Sequence, residues 1–267
     1  MLLLIHPKLF LYHSPILPTM LHKILLSIIA FMLPLLLSGK VYLVSVGISD
    51  YPGDNDLRLP VNDANVITWI YEKNADLKYC KLLNKQATKQ NILAAMRQVY
   101  RNAQKNDVVV FYFSGHGSGS RNGLQAYNGE LTYAEIRETM SKSKCLNKTM
   151  FIDACYAGNL RSQNNDEATT QAADSLSRTA NVMLFLSSRG NETSREVSTW
   201  KNGIFTTYLQ KGMRGDADTN KDRIITAREI FEYVNPKVVK LTGKLQHPVM
   251  WGNFPDDMPV MIWKKQK

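Results

Sequence analysis

The chain has 267 residues, of which 44% are hydrophobic and 21% are charged, and its formal net charge is +10. These values exclude a fibrous or fully disordered protein and leave room for one large or two small globular domains. The basic residues are scattered, without interleaved aromatic residues or a nucleic-acid-binding motif. We therefore expect no nucleic-acid partner.

The segment 1–39 differs from the rest of the chain because it contains no acidic residue and only two lysines. Its apolar run, 24–37, is too short to cross a bilayer, which takes about 20 residues, and Pro34 interrupts it. A basic start, a short apolar core and small residues after it are typical of an export signal, here beginning at Met20. We expect 1–39 to be an upstream extension with an export signal, and the protein to be periplasmic or extracellular without a stable membrane anchor. A buried or membrane-anchoring helix is the alternative.

From Lys40 onward, short β-rich runs alternate with amphipathic segments. This alternation predicts parallel strands joined by crossover helices. We therefore predict an α/β fold with a mostly parallel central β-sheet flanked by helices, formed by one domain of residues 40–267. The predicted strands lie at 40–48, 79–84, 107–113, 148–154, 181–188 and 258–263, and the predicted helices at 62–73, 88–103, 203–213 and from 227 onward.

Two of the predicted strands, 107–113 and 148–154, are continuous apolar runs of the fully buried kind. Each ends at a turn of small residues with one reactive side chain, His116 in "SGHGSG" and Cys155 in "DACYAG". The carboxyl ends of parallel strands meet at one edge of the sheet, where ligands bind. We therefore expect His116 and Cys155 to project from the same edge and to meet there.

A cysteine next to a histidine can act as a nucleophile, because the imidazole takes up the thiol proton and later protonates the leaving amine. Glycines on both sides of His116 let the backbone approach a substrate and direct N–H groups at a developing oxyanion. A lone cysteine after an apolar strand is more often a small core residue. The pairing of His116 and Cys155 at two strand ends favours catalysis.

The segments "YFSGHG" and "IDACYAG" resemble the catalytic turns of the caspase and metacaspase superfamily of cysteine peptidases. The resemblance extends from about Lys40 to Trp263 and includes "VSVGISDYP", "VNDAN" and "GIFT". It implies a caspase-like sandwich fold and a cysteine endopeptidase that requires no cofactor. In this resemblance Cys155 is the nucleophile, His116 is the general acid and base, and the backbone N–H groups of Gly117 and Cys155 form the oxyanion hole.

The residue two positions before Cys155 is Asp153, as in metacaspases, whereas caspases have glutamine there. The resemblance implies a substrate pocket of Asp63, Ser114 and Asp153 that accepts arginine or lysine. Two converging carboxylates repel each other, and a guanidinium or ammonium group relieves that repulsion. Two alternatives stay open, namely that Asp63 is a helix cap and that Arg58 gives the enzyme specificity for aspartate.

The predicted partners are therefore protein or peptide substrates with arginine or lysine before the scissile bond. The sequence does not indicate an oligomeric state. A catalytically silent caspase-like interaction domain is the alternative function, and the presence of both His116 and Cys155 disfavours it.

The segment 218–229, "DTNKDRIITARE", follows the pattern of a calcium-binding loop. Its sixth position holds Arg223 where glycine is expected. The alternative is an acidic turn in which Glu229 occupies the first turn of the following helix. The predicted calcium ligands are Asp218, Asn220, Asp222, the carbonyl of Ile224, and Glu229.

The segment 159–180 is polar and nearly free of large apolar residues, which predicts an exposed loop. A peptidase that cuts after basic residues can cut its own chain in such a loop. Arg161 and Arg178 are the two candidate sites, and we favour Arg178 because Arg161 lies close to Cys155 in the sequence. An uncut surface insertion is the alternative.

The three cysteines of the chain are too few for a disulfide framework. In an exported protein, Cys80 and Cys145 could pair and leave Cys155 as the free thiol.

Overall fold

A computed structural model of the chain describes residues 39–118, 123–154, 182–189 and 199–264. The described helices are α1 (Pro60–Asn74), α2 (Lys89–Tyr100), α3 (Tyr133–Ser141), α4 (Ile204–Lys211) and α5 (Ala227–Leu241). The described strands are β1 (Val41–Gly47), β2 (Leu77–Leu83), β3 (Val108–Gly115), β4 (Gly123–Ala126), β5 (Gly129–Thr132), β6 (Asn147–Ala154), β7 (Val182–Leu186), β8 (Ile224–Thr226), β9 (Val249–Trp251) and β10 (Pro259–Ile262).

Six of these strands form one sheet in the order β2-β1-β3-β6-β7-β9. Neighbouring strands are parallel, except that β9 runs antiparallel to β7. The inner strands β1 and β3 are buried along their whole length. Helices cover both faces of such a sheet, which explains why these strands are continuous apolar runs. The predicted α/β fold with a mostly parallel central sheet is confirmed.

Alternate residues of a strand point to opposite faces, and β1 shows which helices lie on each face. Tyr42 and Val44 pack into a core with α2, α3 and the β4–β5 hairpin, which we call the hairpin layer. Leu43 packs into a second core with α1, α4 and α5, which we call the α1 layer. The carboxyl ends of β1, β3 and β6 lie between these two layers.

The hairpin β4–β5 and helix α3 were not among the predicted elements. The hairpin is short, but Gly129, the first residue after its two-residue turn, has a φ of 147° that suits glycine. Helix α3 begins with a capping box, in which the Thr132 hydroxyl accepts the Glu135 N–H and the Glu135 carboxylate accepts the Thr132 N–H. Both signals are present in the sequence, at Asn128-Gly129 and in the order Thr132-x-x-Glu135.

The suggested pairing of Cys80 with Cys145 is wrong, because both residues are free thiols. Cys80 lies in β2 and Cys145 lies just before β6, and the strands β1 and β3 separate β2 from β6. Adjacent strands are about 4.8 Å apart, so the two Cα atoms are farther apart than the roughly 7 Å limit for a disulfide. The Cys145 thiol instead donates to the Asp107 carbonyl at 2.9 Å.

The predicted export signal, up to residue 38, and the whole of the 159–180 loop lie outside the described residues. Within the described ranges, no helix is both long enough and apolar enough to cross a membrane.

Candidate active site

The ends of β3 and β6 lie side by side, with Gly115 paired to Ala154 in parallel register. His116 is the residue after Gly115. Cys155, the residue after Ala154, lies outside the described residues. Gly115 and Ala154 are thus paired directly, and each is followed in the sequence by one of the two predicted catalytic residues.

The loop before α1 holds His116 at two points. The His116 Nε2 atom lies 2.8 Å from the carbonyl oxygen of Asn55. The hydroxyl of Tyr51 accepts the main-chain N–H of His116 at 3.0 Å and donates to the carbonyl of Gln125 at 3.1 Å. The Tyr51 and His116 rings are also in contact, with their centroids 4.8 Å apart. The ring and the backbone of His116 are thus both fixed by one loop.

Local sequence explains why Tyr51 can reach this position. Its own N–H donates to the Asp56 carboxylate at 3.0 Å, which closes the loop on itself. A Cβ atom on Gly115 would lie 2.5 Å from the Tyr51 hydroxyl, so only glycine fits there. Burial raises the pKa of Tyr51 well above its ordinary value, and the hydroxyl therefore keeps its proton.

The predicted oxyanion donor Gly117 forms an isolated antiparallel bridge with Leu124 of β4. The hydrogen bonds around this bridge join Gln125 N–H to the His116 carbonyl at 2.9 Å and Ser118 N–H to the Gly123 carbonyl at 3.0 Å. Neither of them uses the Gly117 N–H. These two hydrogen bonds thus fix the backbone on both sides of Gly117 and do not use the amide of the predicted oxyanion hole.

The three predicted pocket residues come together on the α1 side of the sheet. The Ser114 hydroxyl donates to Asp63 Oδ2 at 2.9 Å. The other oxygen of Asp63 accepts the Asn202 side-chain amide at 2.9 Å and the Gly203 N–H at 3.1 Å. Asp153 Oδ2 accepts the hydroxyl of Thr206 at 2.8 Å.

The two carboxylates converge on the N-terminus of α4. A Cβ atom on Gly203 would lie 2.8 Å from Asp153 Oδ2 and 3.4 Å from Asp63 Oδ2, so both oxygens face the same point. Asp153 Oδ2 also accepts the Thr206 N–H at 3.3 Å. The positive end of a helix dipole and these donors stabilise negative charge at this position.

The alternative in which Asp63 caps its own helix is wrong. Helix α1 has Leu59 at its N-cap position and no side-chain capping hydrogen bond. The Asp63 carboxylate instead bonds to Ser114, Asn202 and Gly203, which belong to distant parts of the chain. The Asp63 carboxylate therefore binds groups at the carboxyl edge of the sheet and does not cap the start of α1.

The carboxylates of Asp63 and Asp153 differ from those of surface acids because both are buried. Asp63 and Asp153 are only 2% and 7% exposed. Burial, and secondly the charge of Asp153, raise the pKa of Asp63 to about 7, although hydrogen bonds from Asn202, Ser114 and Gly203 lower it. A cation between the two carboxylates would replace a proton there.

Several residues of this site were not predicted from the sequence. They are joined to the predicted residues across long stretches of chain, so no local pattern reveals them. Most of them lie in or next to the segments "VSVGISDYP" and "GIFT", but the sequence does not predict which residues they contact. These residues are Tyr51, Asn55, Asn202, Gly203 and Thr206.

The predicted calcium loop forms a compact turn before α5. Asp218 Oδ2 accepts the Arg223 N–H at 3.1 Å, Asn220 Oδ1 accepts the Asp222 N–H at 3.0 Å, and Asp222 Oδ1 accepts the Ile224 N–H at 2.8 Å. Arg223, at the position where glycine was expected, has a φ of 71°, which is the backbone region that favours glycine. The second oxygen of Asp218 is buried and has no hydrogen-bond partner among the described residues.

Glu229, the predicted twelfth ligand, is engaged by two threonines. Its Oε2 atom accepts the N–H and hydroxyl of Thr226, the N-cap residue of α5. Its Oε1 atom accepts the N–H and hydroxyl of Thr219. Burial by itself raises the pKa of Glu229, but these hydrogen bonds together outweigh burial and lower that pKa below its ordinary value. The described residues contain no group of three or more His, Cys, Asp or Glu side chains that could hold a metal. The hydrogen bonds of Glu229 therefore account for the loop as a turn that leads into α5, and calcium binding stays a prediction.

Comparison with solved structures identifies the fold. Caspase-1 from Spodoptera frugiperda has a TM-score of 0.59 at 14% identity, with 86% of this chain and 93% of that chain covered. A protein from Geobacter sulfurreducens has a TM-score of 0.57 at 15% identity, with 84% of this chain and 100% of that chain covered. At such identities the likeness concerns the fold alone.

Two curated proteins, each named Metacaspase-1, are similar to part of this chain at the same level of identity. Metacaspase-1 of Meyerozyma guilliermondii is 33% identical over 89 residues, covering 30% of this chain and 22% of the relative. Metacaspase-1 of Candida albicans is 33% identical over 88 residues, covering 30% of this chain and 20% of the relative. The matched stretch is thus about a fifth of the length of each relative.

A family model described as the caspase domain matches residues 41–258, which is most of the chain. The resemblance to the caspase and metacaspase superfamily is confirmed by this match together with the two metacaspases and the caspase fold. The chain belongs to the caspase domain family of cysteine peptidases.

Proposed function

We propose that this protein is a cysteine endopeptidase that cleaves protein or peptide substrates after arginine or lysine, with Cys155 as nucleophile and His116 as general acid and base. The parallel register of Gly115 with Ala154 is the observation that carries the dyad. The convergence of Asp63 and Asp153 on one point supports the basic specificity.

The contact of His116 with Asn55 supports an assignment of its two ring nitrogens. A carbonyl oxygen can only accept, so the Nε2 atom facing Asn55 carries the proton. The Nδ1 atom then holds the lone pair that can take the proton of Cys155. This arrangement resembles the way in which an acceptor orients the imidazole in other nucleophile–histidine pairs.

The proposed reaction has two stages. The Cys155 thiolate attacks the carbonyl carbon of the scissile bond, and the N–H groups of Gly117 and Cys155 stabilise the oxyanion. The imidazolium of His116 donates its proton to the leaving amine, which departs and leaves a thioester on Cys155. Water, deprotonated by His116, then hydrolyses the thioester and restores the thiol.

The specificity follows from the charge of the pocket. Asp63 and Asp153 are buried and close together, so a guanidinium or ammonium group gains from both carboxylates and relieves their repulsion. An aspartate side chain would add a third negative charge. Arg58, the basis of the alternative aspartate specificity, is exposed, whereas Asp63 and Asp153 are buried.

A panel of peptides tests this proposal. The peptides differ only in the residue before the cut, which is arginine, lysine, glutamine or aspartate, and Cys155→Ala is the control. We expect cleavage after arginine and lysine by the wild type alone. Preferential cleavage after aspartate would contradict the basic pocket. No cleavage of any peptide, with or without calcium, would favour a catalytically silent interaction domain.

We also propose that the protein is exported through the signal that begins at Met20, within the segment 1–39. An N-terminus beginning near residue 39 on protein recovered outside the cytoplasm would support this, whereas an intact N-terminus on cytoplasmic protein would contradict it.

A further inference from the structure

A groove runs along the outer side of α1, between this helix and β2, the strand at one edge of the sheet. It consists of two cavities, of about 480 Å³ and about 710 Å³, that share Glu72 and Tyr79 in their walls. Each volume lies within the usual range of ligand pockets, about 300–1,000 Å³. His116, Asp63 and Asp153 are not among the residues that line this groove, which we call the α1–β2 groove.

The periods of a helix and a strand explain how its walls form. Residues three or four positions apart lie on the same side of a helix, and residues two positions apart lie on the same face of a strand. The α1 wall is formed by Asn62, Asn65, Trp69 and Glu72, and the β2 wall is formed by Tyr79 and Lys81. The groove is thus built on two regular elements, and the loop before α4 closes one end of it with Asn202.

Three aromatic residues of the described chain line the groove and keep part of their surface exposed. Trp69 and Tyr79 are 45% and 43% exposed, and the half-buried Trp263 lines the larger cavity. The Arg214 guanidinium carbon lies 6.0 Å from the centroid of the Trp69 ring, and the Trp263 indole N–H donates to the Met213 carbonyl at 3.2 Å. Rings that are held in place on a concave surface favour a ligand whose apolar face can cover them.

The polar groups of the groove include donors, acceptors and both signs of charge. The Glu72 carboxylate accepts, and the Lys81 ammonium group donates. The Asn65 side-chain oxygen accepts from Lys81 at 2.7 Å, so the Asn65 amide nitrogen can donate to a ligand. The Asn202 amide nitrogen donates to Asp63 at 2.9 Å, so the Asn202 oxygen can accept from a ligand. A ligand with a net charge would be repelled by either Glu72 or Lys81, whereas a hydroxyl group can bond to both.

Sugar rings match both properties of the groove. A pyranose ring has a face of C–H groups that can pack on an aromatic ring, and its hydroxyl groups both donate and accept. Aromatic rings line both cavities, so the groove offers contacts to more than one sugar unit. We propose that the α1–β2 groove binds a neutral oligosaccharide. This inference does not depend on the proposed peptidase function.

Isothermal titration calorimetry of the full chain provides the test. The probes are neutral trisaccharides, namely cellotriose, maltotriose and triacetylchitotriose, and the comparison ligand is AMP, which combines a flat ring with an anionic group. Trp69→Ala and Tyr79→Ala each remove one ring from the groove. Leu146→Ala is the matched control, because Leu146 is 44% exposed and lines neither cavity. Circular dichroism checks that each variant keeps the wild-type fold.

We expect at least one trisaccharide to bind saturably to the wild type. Trp69→Ala and Tyr79→Ala should each raise its Kd by about tenfold, because each loses the apolar area of one ring, and Leu146→Ala should bind like the wild type. Absence of binding by all the trisaccharides would overturn the inference. Binding that both ring variants retain at wild-type affinity would overturn it as well, and so would tighter binding of AMP than of every trisaccharide.

Discussion

The hydroxyl of Tyr51 accepts the main-chain N–H of His116 at 3.0 Å, across 65 positions of sequence. The same hydroxyl donates to Gln125, so one side chain joins the loop before α1, the end of β3 and the hairpin. The Tyr51 hydroxyl bonds to two main-chain groups and not to a ring nitrogen of His116. It acts as a positioning residue for the imidazole.

We predict that Tyr51→Phe lowers kcat roughly tenfold and leaves KM nearly unchanged, because the His116 N–H and the Gln125 carbonyl lose their shared partner. Tyr71→Phe is the matched control, since the buried Tyr71 hydroxyl donates to the Val260 carbonyl at 2.8 Å, far from the site. If both variants lose stability and neither loses kcat, Tyr51 is only a structural residue.

The sequence predicted the strands β1, β3 and β6 well because burial on both faces produces continuous apolar runs. It also predicted that His116 would lie at a strand end. It did not predict Tyr51, Asn55 or Gly203 as parts of the site, because their contacts join segments that are brought together only by the assembled sheet. The convergence of Asp63 and Asp153 on α4 likewise depends on tertiary packing.

We predict that Asp153→Asn lowers kcat/KM for arginine peptides by roughly tenfold to a hundredfold, because a charge-assisted hydrogen bond contributes about 1.5–3 kcal/mol. The amide oxygen can still accept from Thr206, so the fold should persist. Asp107→Asn is the control, because the buried Asp107 carboxylate accepts the N–H groups of Lys40 and Gln104 outside the acidic pocket. A similar loss of activity in both variants would point to general destabilisation.

The raised pKa of Asp63, about 7, predicts a pH dependence of stability. The folded protein holds this proton between the ordinary carboxyl pKa and about 7, whereas the unfolded chain has lost it. Stability from this group is therefore complete at low pH and decreases as pH rises through about 7.

Thermal unfolding from pH 5.5 to 8.5 should show a falling Tm in the wild type and a smaller fall in Asp63→Asn. A guanidinium ligand should reduce the fall, because it binds the ionised pair. Identical pH profiles for wild type and variant would contradict the assignment.

Calcium binding at the 218–229 loop predicts a rise in Tm at millimolar calcium that magnesium does not reproduce. Asp218→Asn should cancel the rise, since it keeps the acceptor for the Arg223 N–H but removes the charge. Asp216→Asn, next to the loop but outside the ligand pattern, should retain it. An unchanged wild-type Tm would leave the loop as a turn that Glu229 stabilises as a helix cap.

Self-cleavage in the 159–180 loop predicts a break after Arg178, or after Arg161, in purified wild type. Intact mass should show two fragments for the wild type and one full-length chain for Cys155→Ala. Arg178→Gln should suppress the main break if Arg178 is the preferred site. A fully active wild type that remains a single chain would rule out obligatory self-processing.

The most direct measurement is the site of covalent labelling by an electrophilic probe that carries an arginine side chain. We predict that one probe molecule attaches to Cys155 in the wild type, that His116→Ala slows labelling by at least about a hundredfold, and that Cys155→Ala abolishes it while both variants keep the wild-type fold by circular dichroism. Labelling of Cys80 or Cys145 instead, or labelling of Cys155 at the same rate in wild type and His116→Ala, would contradict the His116–Cys155 dyad.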